Sequence, residues 1–330
     1  MGLNQDLTRQ TQLEILISEV MKTSEIEGEY MSRIGVMFSI RKNLGISDGH
    51  KIADKRVFGV ATLMTIIKEQ SQQKLSKEMI LSWHKILMES YPGINAGCWR
   101  TSAEPMLVIS GALGREIVHY QAPPSTCVEN EMQQFLEWFN TPKSQHADDI
   151  TAALIKAAIA HLYFESIHPF EDGNGRIGRA LAEFTLSSSL KGPVLLSMSK
   201  VIEKNKKQYY DALKAAQSQL EISDWILYFT NVILEAQRDA RDTIEFTVKK
   251  TRFFDQYNLI LNDRQSKVIN RMLQSGPSGF EGGMSAAKYM SITKTSKATA
   301  TRDLQHLYQT GIFEQQGAGR SVRYNLVLSV

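Results

Sequence analysis

The sequence predicts a mainly α protein with one internal β-hairpin and a small α+β domain at its C-terminal end, on three observations. Apolar residues recur at helical spacing through most of the first 257 positions, as in helices with one buried face. Between 105 and 124, two runs rich in β-branched residues, MLVIS and EIVHYQ, flank GALGR, whose glycines suit a hairpin turn. From residue 262 the pattern changes to three short helical stretches and an alternating segment with a glycine tip.

In order, Leu13, Leu16, Ile17, Val20 and Met21 share a face over 7–21; TSEIEG then interrupts the pattern and ends in Gly28, a helix stop. A second amphipathic stretch covers 30–44, and further helices are predicted over 56–70, 76–89, 127–140, 150–166, 180–190, 204–219 and 223–244. A long polar helix, 239–257, leads to helices over 262–273, 284–290 and 297–310. They are followed by IFEQQGAGRSVRYNLVL, a hairpin carrying Arg320 and Arg323, and three helices then a hairpin is the order of a winged helix.

Composition limits the function class. With 330 residues, 42% hydrophobic and 22% charged, the chain is globular rather than disordered or fibrous. The start MGLNQDLTRQ lacks a basic stretch followed by an apolar one, and no run of about 18 apolar residues occurs, so a cytoplasmic protein without a membrane partner is expected. Cys98 and Cys127 form no CxxC pair and are expected to be packing residues. Residues 262–330 hold nine Lys/Arg against four Asp/Glu; of the formal net charge of +3, that stretch carries +5 and the remainder −2.

The chemistry concentrates in HPFEDGNGRIGR, His168 to Arg179, between two apolar helices. Gly173, Asn174 and Gly175 open a helix, where converging N–H groups and the positive dipole end bind anions. Arg176 and Arg179, three apart, share a face and suit a polyphosphate, with Ile177 and Gly178 completing the nucleotide-binding turn. Asp172 is the inner carboxylate for Mg²⁺, which takes one or two carboxylates plus substrate phosphates. His168 is the side chain able to act as a base near neutral pH. His161, Glu165 and His168 have metal-compatible helical spacing, but a core histidine is the simpler reading of His161, and Glu171 reads as a solvated neighbour.

This run resembles the HPFx(D/E)GNGRxxR motif of Fic (Fic/Doc) proteins at every fixed position. The resemblance extends to GCWR at 97–100, IVHYQAPP at 117–124, AHLYFESIHPF and YYDALKAAQ. It implies a Fic-type helical core over 96–236, preceded by an N-terminal segment (1–95) and followed by a linker helix (237–260) and a winged-helix domain (261–330). It further implies a protein adenylyltransferase: His168 takes the proton of a target Ser, Thr or Tyr hydroxyl, which attacks the α-phosphate of Mg-ATP and releases pyrophosphate. By the same resemblance Val118, His119, Tyr120 and Gln121 form a flap that holds the target segment by strand pairing, and Tyr209, Tyr210 and Gln217 line an adenine pocket.

TSEIEG also matches the family's inhibitory pattern (S/T)xxxE(G/N), which implies that Glu27 reaches Arg179 and occupies the γ-phosphate position. Members bearing this Glu are also associated with removal of AMP, and the sequence does not choose the direction. A target protein, self-modification and a homodimer are partners the resemblance allows. A different class of reading makes the chain a nucleotide-sensing DNA-binding regulator, with Lys294, Lys297, Arg302, Arg320 and Arg323 on DNA phosphates. A third keeps the fold and changes the nucleotide donor.

Overall fold

The computed structural model describes residues 5–46, 54–110, 117–141 and 148–328, without the side chains of 5, 6, 108–110, 117–119 and 320. The GALGR turn and the side chains of Val118, His119 and Arg320 therefore lie outside the described residues. The chain divides into two compact units, Gln12–Ala240 and Arg241–Val330 with Met1–Thr11.

The larger unit is helical: α1 (Gln5–Ile26) from Gln12 on, α2 (Arg33–Asn43), α3 (Lys55–Glu69), α4 (Lys77–Met88), then β1 (Leu107–Ser110) and β2 (Ile117–Gln121). After them come α5 (Val128–Asn140), α6 (Asp149–Ile167), α7 (Asn174–Ser189), α8 (Met198–Lys204), α9 (Lys206–Gln217) and, as far as Ala240, α10 (Ser223–Tyr257). At its centre α7 packs on α6, where Ala153, Ala157 and Ala160 are fully buried and let the helices approach. Every residue of α7 from 176 to 187 is buried, the charged Arg176, Arg179 and Glu183 included. Buried charge requires partners; Glu183 has Lys68 Nζ at 2.6 Å.

By length and composition α6 is apolar enough to cross a membrane. That composition follows from its position, because α5, α7 and α9 all pack on it.

The fold departs from the sequence expectation in four places. Helix α1 runs on through Thr23 and Ser24 to Ile26, because all three side chains are fully buried and Ser24 Oγ bonds Val20 O at 3.0 Å. Burial there outweighs the modest helix propensity of Thr and Ser. The two helices expected over 223–257 form one, α10, of 35 residues. The helix expected over 204–219 is α9, separated at Asn205 (φ −139°, ψ 55°) from α8, which sequence periodicity missed. Cys98 and Cys127 are exposed, not packed.

The hairpin pairs antiparallel, Leu107 with Gln121 and Val108 with Tyr120, and its register shifts between Val108 and Ile109. In the smaller unit, α11 (Asp263–Leu273), α12 (Ala286–Thr293) and α13 (Lys297–Gln309) precede an antiparallel pair, β3 (Phe313–Gln316) and β4 (Arg323–Leu326). Asn262 and Gln265 close a capping box at the start of α11. Val268, Ile269, Tyr289, Leu304 and Leu307 form the core. Buried Asp303 accepts from Arg264 Nε (2.8 Å) and Tyr289 OH (2.9 Å).

Candidate functional site

His168 stands where α6 stops. It caps the helix in the left-handed region (φ 50°, ψ 59°) while its N–H still bonds Phe164 O at 2.9 Å. That conformation costs a non-glycine residue about 1–3 kcal/mol and persists where surroundings hold it. Arg100 supplies the hold: its Nε donates to His168 O (2.8 Å), its Nη2 to Ile167 O (3.3 Å) and Pro123 O (2.5 Å), and its backbone N–H to Pro169 O (2.9 Å). Burial pushes the His168 imidazole down to about 4, so it is neutral near pH 7. Its Nδ1 lies 3.8 Å from Glu165 Oε2. Burial pushes the Glu165 carboxyl up to about 8.

The turn after His168 is braced from inside. Phe170 stacks on His84, ring centres 3.7 Å apart. His84 Nδ1 accepts Gly97 N–H (2.9 Å), which leaves Nε2 as the donor to Asp172 O (3.1 Å). The Asn174 amide bonds both Phe170 N (2.9 Å) and Phe170 O (2.8 Å), so it ties the turn closed and contributes only its backbone to an anion site. Gly173, the N-cap of α7, has φ +83°, and a Cβ there would meet Met88 Sδ at 3.0 Å. The first-turn N–H groups of α7 have no acceptor within the helix.

Asp172 stays exposed, with Arg176 Nη2 3.6 Å from its carboxylate. Among the described residues no three His, Cys, Asp or Glu side chains cluster closely enough to hold a metal ion. The donor set therefore fits only an ion that brings phosphate and water ligands with it, as Mg²⁺ on a nucleotide does.

Both arginines of the motif already hold carboxylates. Arg179 Nη2 donates to Glu27 Oε1 (2.7 Å) and to Thr23 O (3.0 Å), and Nε to Thr23 Oγ1 (2.9 Å). Glu27 also lies over the start of α7, since a Cβ on Gly175 would sit 2.6 Å from its Oε1. Burial favours the neutral acid, but Arg179, assisted by Arg176 and Lys206, holds the Glu27 carboxyl below its ordinary value. Arg176 Nη1 donates to Glu29 Oε2 (3.2 Å) and Tyr91 OH (2.8 Å). Arg179 Nη1, Arg176 Nε, Glu165 Oε1 and Nδ1 of His161 and His168 are buried without a hydrogen-bond partner among the described residues.

Two carboxylates emerge together because α1 ends in a Schellman motif. Gly28 takes φ +83°, its N–H bonds Glu25 O (3.0 Å), and Glu29 N–H bonds Ser24 O (2.9 Å). The glycine reverses the chain, and the acids on either side of it both reach α7.

The remaining site residues are placed unevenly. Tyr209 is buried with its hydroxyl 2.8 Å from His161 Nε2, and Tyr210 packs edge-on against it at 5.1 Å. Gln217 Nε2 donates to Glu165 O (3.2 Å). His161 is a core residue clustered with the rings of Trp225 and Phe229, and Glu171 is exposed. From the flap, Tyr120 OH donates to Ser166 O (2.9 Å), and Gln121 is exposed. Sequence reasoning missed Glu29, Tyr91 and the task of Arg100. The acid–Gly–acid run of Glu27, Gly28 and Glu29 was the available signal for the first, and nothing local marks Tyr91.

Residues 74–186 match the Fic/DOC family, and residues 1–46 match a domain of unknown function (DUF4172). The chain is 26% identical over 211 residues to the protein adenylyltransferase Fic of Drosophila grimshawi, covering 63% of this chain and 39% of that one. It is 26% identical over 148 residues to a probable protein adenylyltransferase of Aquifex aeolicus, covering 45% and 39%. It thus spans about two fifths of the length of these relatives. A Fic family protein from Desulfovibrio desulfuricans shares the fold at a TM-score of 0.58 and 21% identity, covering 99% of this chain and 90% of that one. A Fic domain containing signaling protein from Bacteroides thetaiotaomicron does so at 0.56 and 20%, covering 76% and 91%. Residues 74–186, with the intact HPFEDGNGRIGR turn inside them, thus form a domain of the Fic/DOC family, on a fold shared with these structures.

Proposed function

We propose that the chain transfers AMP from ATP to a hydroxyl of a target protein and is held back by its own Glu27. The observation that carries this reading is the seat of the Glu27 carboxylate. It lies over the N-terminus of α7 and on Arg179, where the backbone and a buried guanidinium favour an anion. A polyphosphate is the anion such a seat would take once Glu27 leaves, with Arg176 and Arg179 as its clamps and Gly173 to Gly175 beneath it.

In the reaction, neutral His168 accepts the proton of the target hydroxyl as its oxygen bonds the α-phosphorus. The bond from that phosphorus to the bridging oxygen of the β-phosphate breaks, and pyrophosphate leaves with the electron pair. Asp172 would hold Mg²⁺ on this chain, and the ion would neutralise phosphate charge. Most of the rate comes from positioning, which fits a site of braced loops and buried arginines. The backbone of β2 offers strand pairing to the target segment. Removal of AMP, with Glu27 aligning a water molecule to attack the phosphorus, is the opposite direction at the same site, and other nucleotide donors, a homodimer and self-modification are further readings of it.

The test is labelled ATP with the Glu27→Gly chain in lysate, followed by mass spectrometry of modified residues. We expect AMP on Ser, Thr or Tyr, and none when His168→Ala is added. Equal labelling with and without His168 would exclude the reaction, and GTP, UTP and CTP as donors test its specificity.

A second reading concerns residues 261–330 alone. Lys294, Lys297, Arg302 and Arg323 are all exposed around α13 and β4, as phosphate contacts require. A gel shift at low salt that disappears at high salt is the expected result; no shift at low salt removes DNA as a partner.

A further inference from the structure

The Arg176 side of the site has no part in the inhibitory pattern read from the sequence, yet it is as fully occupied as the Arg179 side. Tyr91, in the connection between α4 and β1 and outside the Fic motif, donates its hydroxyl to Glu29 Oε2 at 2.6 Å and accepts from Arg176 Nη1 at 2.8 Å. Its ring also lies under the guanidinium, 5.2 Å from centroid to Cζ. A phenol and a guanidinium thus converge on one carboxylate oxygen.

We infer that Tyr91 is a further polyphosphate-binding residue, and that Glu29 is a second latch which occupies its place on Arg176 as Glu27 does on Arg179. Glu29 Oε2 meets the donors that a phosphate oxygen would meet, a charged N–H and a neutral O–H. Burial pushes the Tyr91 hydroxyl up to about 12, so it remains a donor at working pH. The three partners differ in how freely they can leave. Arg176 has 2% of its side chain exposed, whereas Glu29 has 26% and sits beyond the end of α1. The carboxylate is the member that can withdraw into solvent, and the Arg176 guanidinium is the buried one. Only Gly28 separates Glu29 from Glu27, so withdrawal of one carboxylate moves the other, and both phosphate seats open together.

This inference rests on the nucleotide-binding reading above, and binding is measured apart from transfer. Calorimetric titration of the full chain carrying His168→Ala, in magnesium buffer, compares ATP with AMP. We expect Glu29→Gln to tighten ATP by about tenfold, by removing a competing charge, and added Tyr91→Phe to weaken it again by about fivefold. AMP, which lacks the outer phosphates, is expected to change by less than about twofold in both. Its retained binding reports that the variants are folded. Unchanged ATP affinity in Glu29→Gln, no loss on adding Tyr91→Phe, or an equal loss for AMP would each overturn the proposal. If the shifts occur while the Glu27→Gly chain transfers no AMP, the Tyr91 assignment stands and the reaction assigned to the site falls.

Discussion

Arg179 Nη2 and Glu27 Oε1 stand 2.7 Å apart, and the same guanidinium makes two more bonds to Thr23, one turn earlier in α1. The arginine is thus fixed by a helix end rather than by one carboxylate. Arg179 is the buried partner, with 1% of its side chain exposed against 29% for Glu27, so its guanidinium is the charge left without compensation when the carboxylate withdraws.

Weakening the latch from the helix side should therefore activate in steps. Thr23→Val keeps the shape and removes the Oγ1 acceptor; Gly28→Ala adds a Cβ with nothing within 4 Å but places alanine at φ +83°. Each costs the latched form about 1 kcal/mol. Basal AMP incorporation should rise about fivefold in either variant, less than in Glu27→Gly. A rate equal to the parent in both would show that Thr23 and Gly28 do not contribute to the latch.

Arg100 is expected to act on the rate and not on nucleotide binding. Arg100→Lys keeps a charge but loses the fork that reaches His168 O, Ile167 O and Pro123 O. In the Glu27→Gly background kcat should fall by about tenfold or more with KM for ATP unchanged. A rise in KM with kcat intact would place Arg100 in the nucleotide site instead.

Gly178 leaves room for Glu165. A Cβ at 178 would lie 2.2 Å from Glu165 Oε1 and 3.2 Å from His161 Cε1. Gly178→Ala should lower stability by about 1–3 kcal/mol in urea unfolding. Glu165→Ala in the same chain should recover part of that loss, and strictly additive effects would separate the two residues.

Acid should destabilise the fold early. Burial lowers His84, His161 and His168 to about 4 from 6.5, so the unfolded chain takes up their protons first, and stability falls as pH drops through that window. Burial raises Glu165 to about 8 from 4.5, and its contribution is lost instead as pH rises through 8. Urea midpoints from pH 4 to 8 should show both limbs. His161→Gln should reduce the acid slope by about 1.4 kcal/mol per pH unit, and an unchanged slope would exclude His161 as a source.

The motif was legible because its parts are contiguous: His168, Asp172, Arg176 and Arg179 carry their chemistry within one helix end and one helix start. The main helices were legible from periodicity, except where burial overrode propensity at Thr23 and Ser24 or a helix break at Asn205 hid α8. Tyr91 and Arg100 were not legible as site residues. Their contacts join segments 68 and 85 residues apart, and no local pattern encodes such a meeting. Tyr209 shows the converse: a tyrosine pair at helical spacing fits packing and binding equally, and the buried bond to His161 puts its hydroxyl in the core.

The last turn of α1 carries a kinetic meaning. Both carboxylates hang from a Schellman turn closed by bonds to Ser24 O and Glu25 O, with Lys206 Nζ on Ile26 O. Opening that one turn requires no other helix to unfold, so the resting output of the chain would follow the fraying equilibrium of five or six peptide groups. Amide exchange at residues 27–29 would then serve as a clock for it. A ligand that steadied the turn at Gly28 would silence the site without touching the nucleotide.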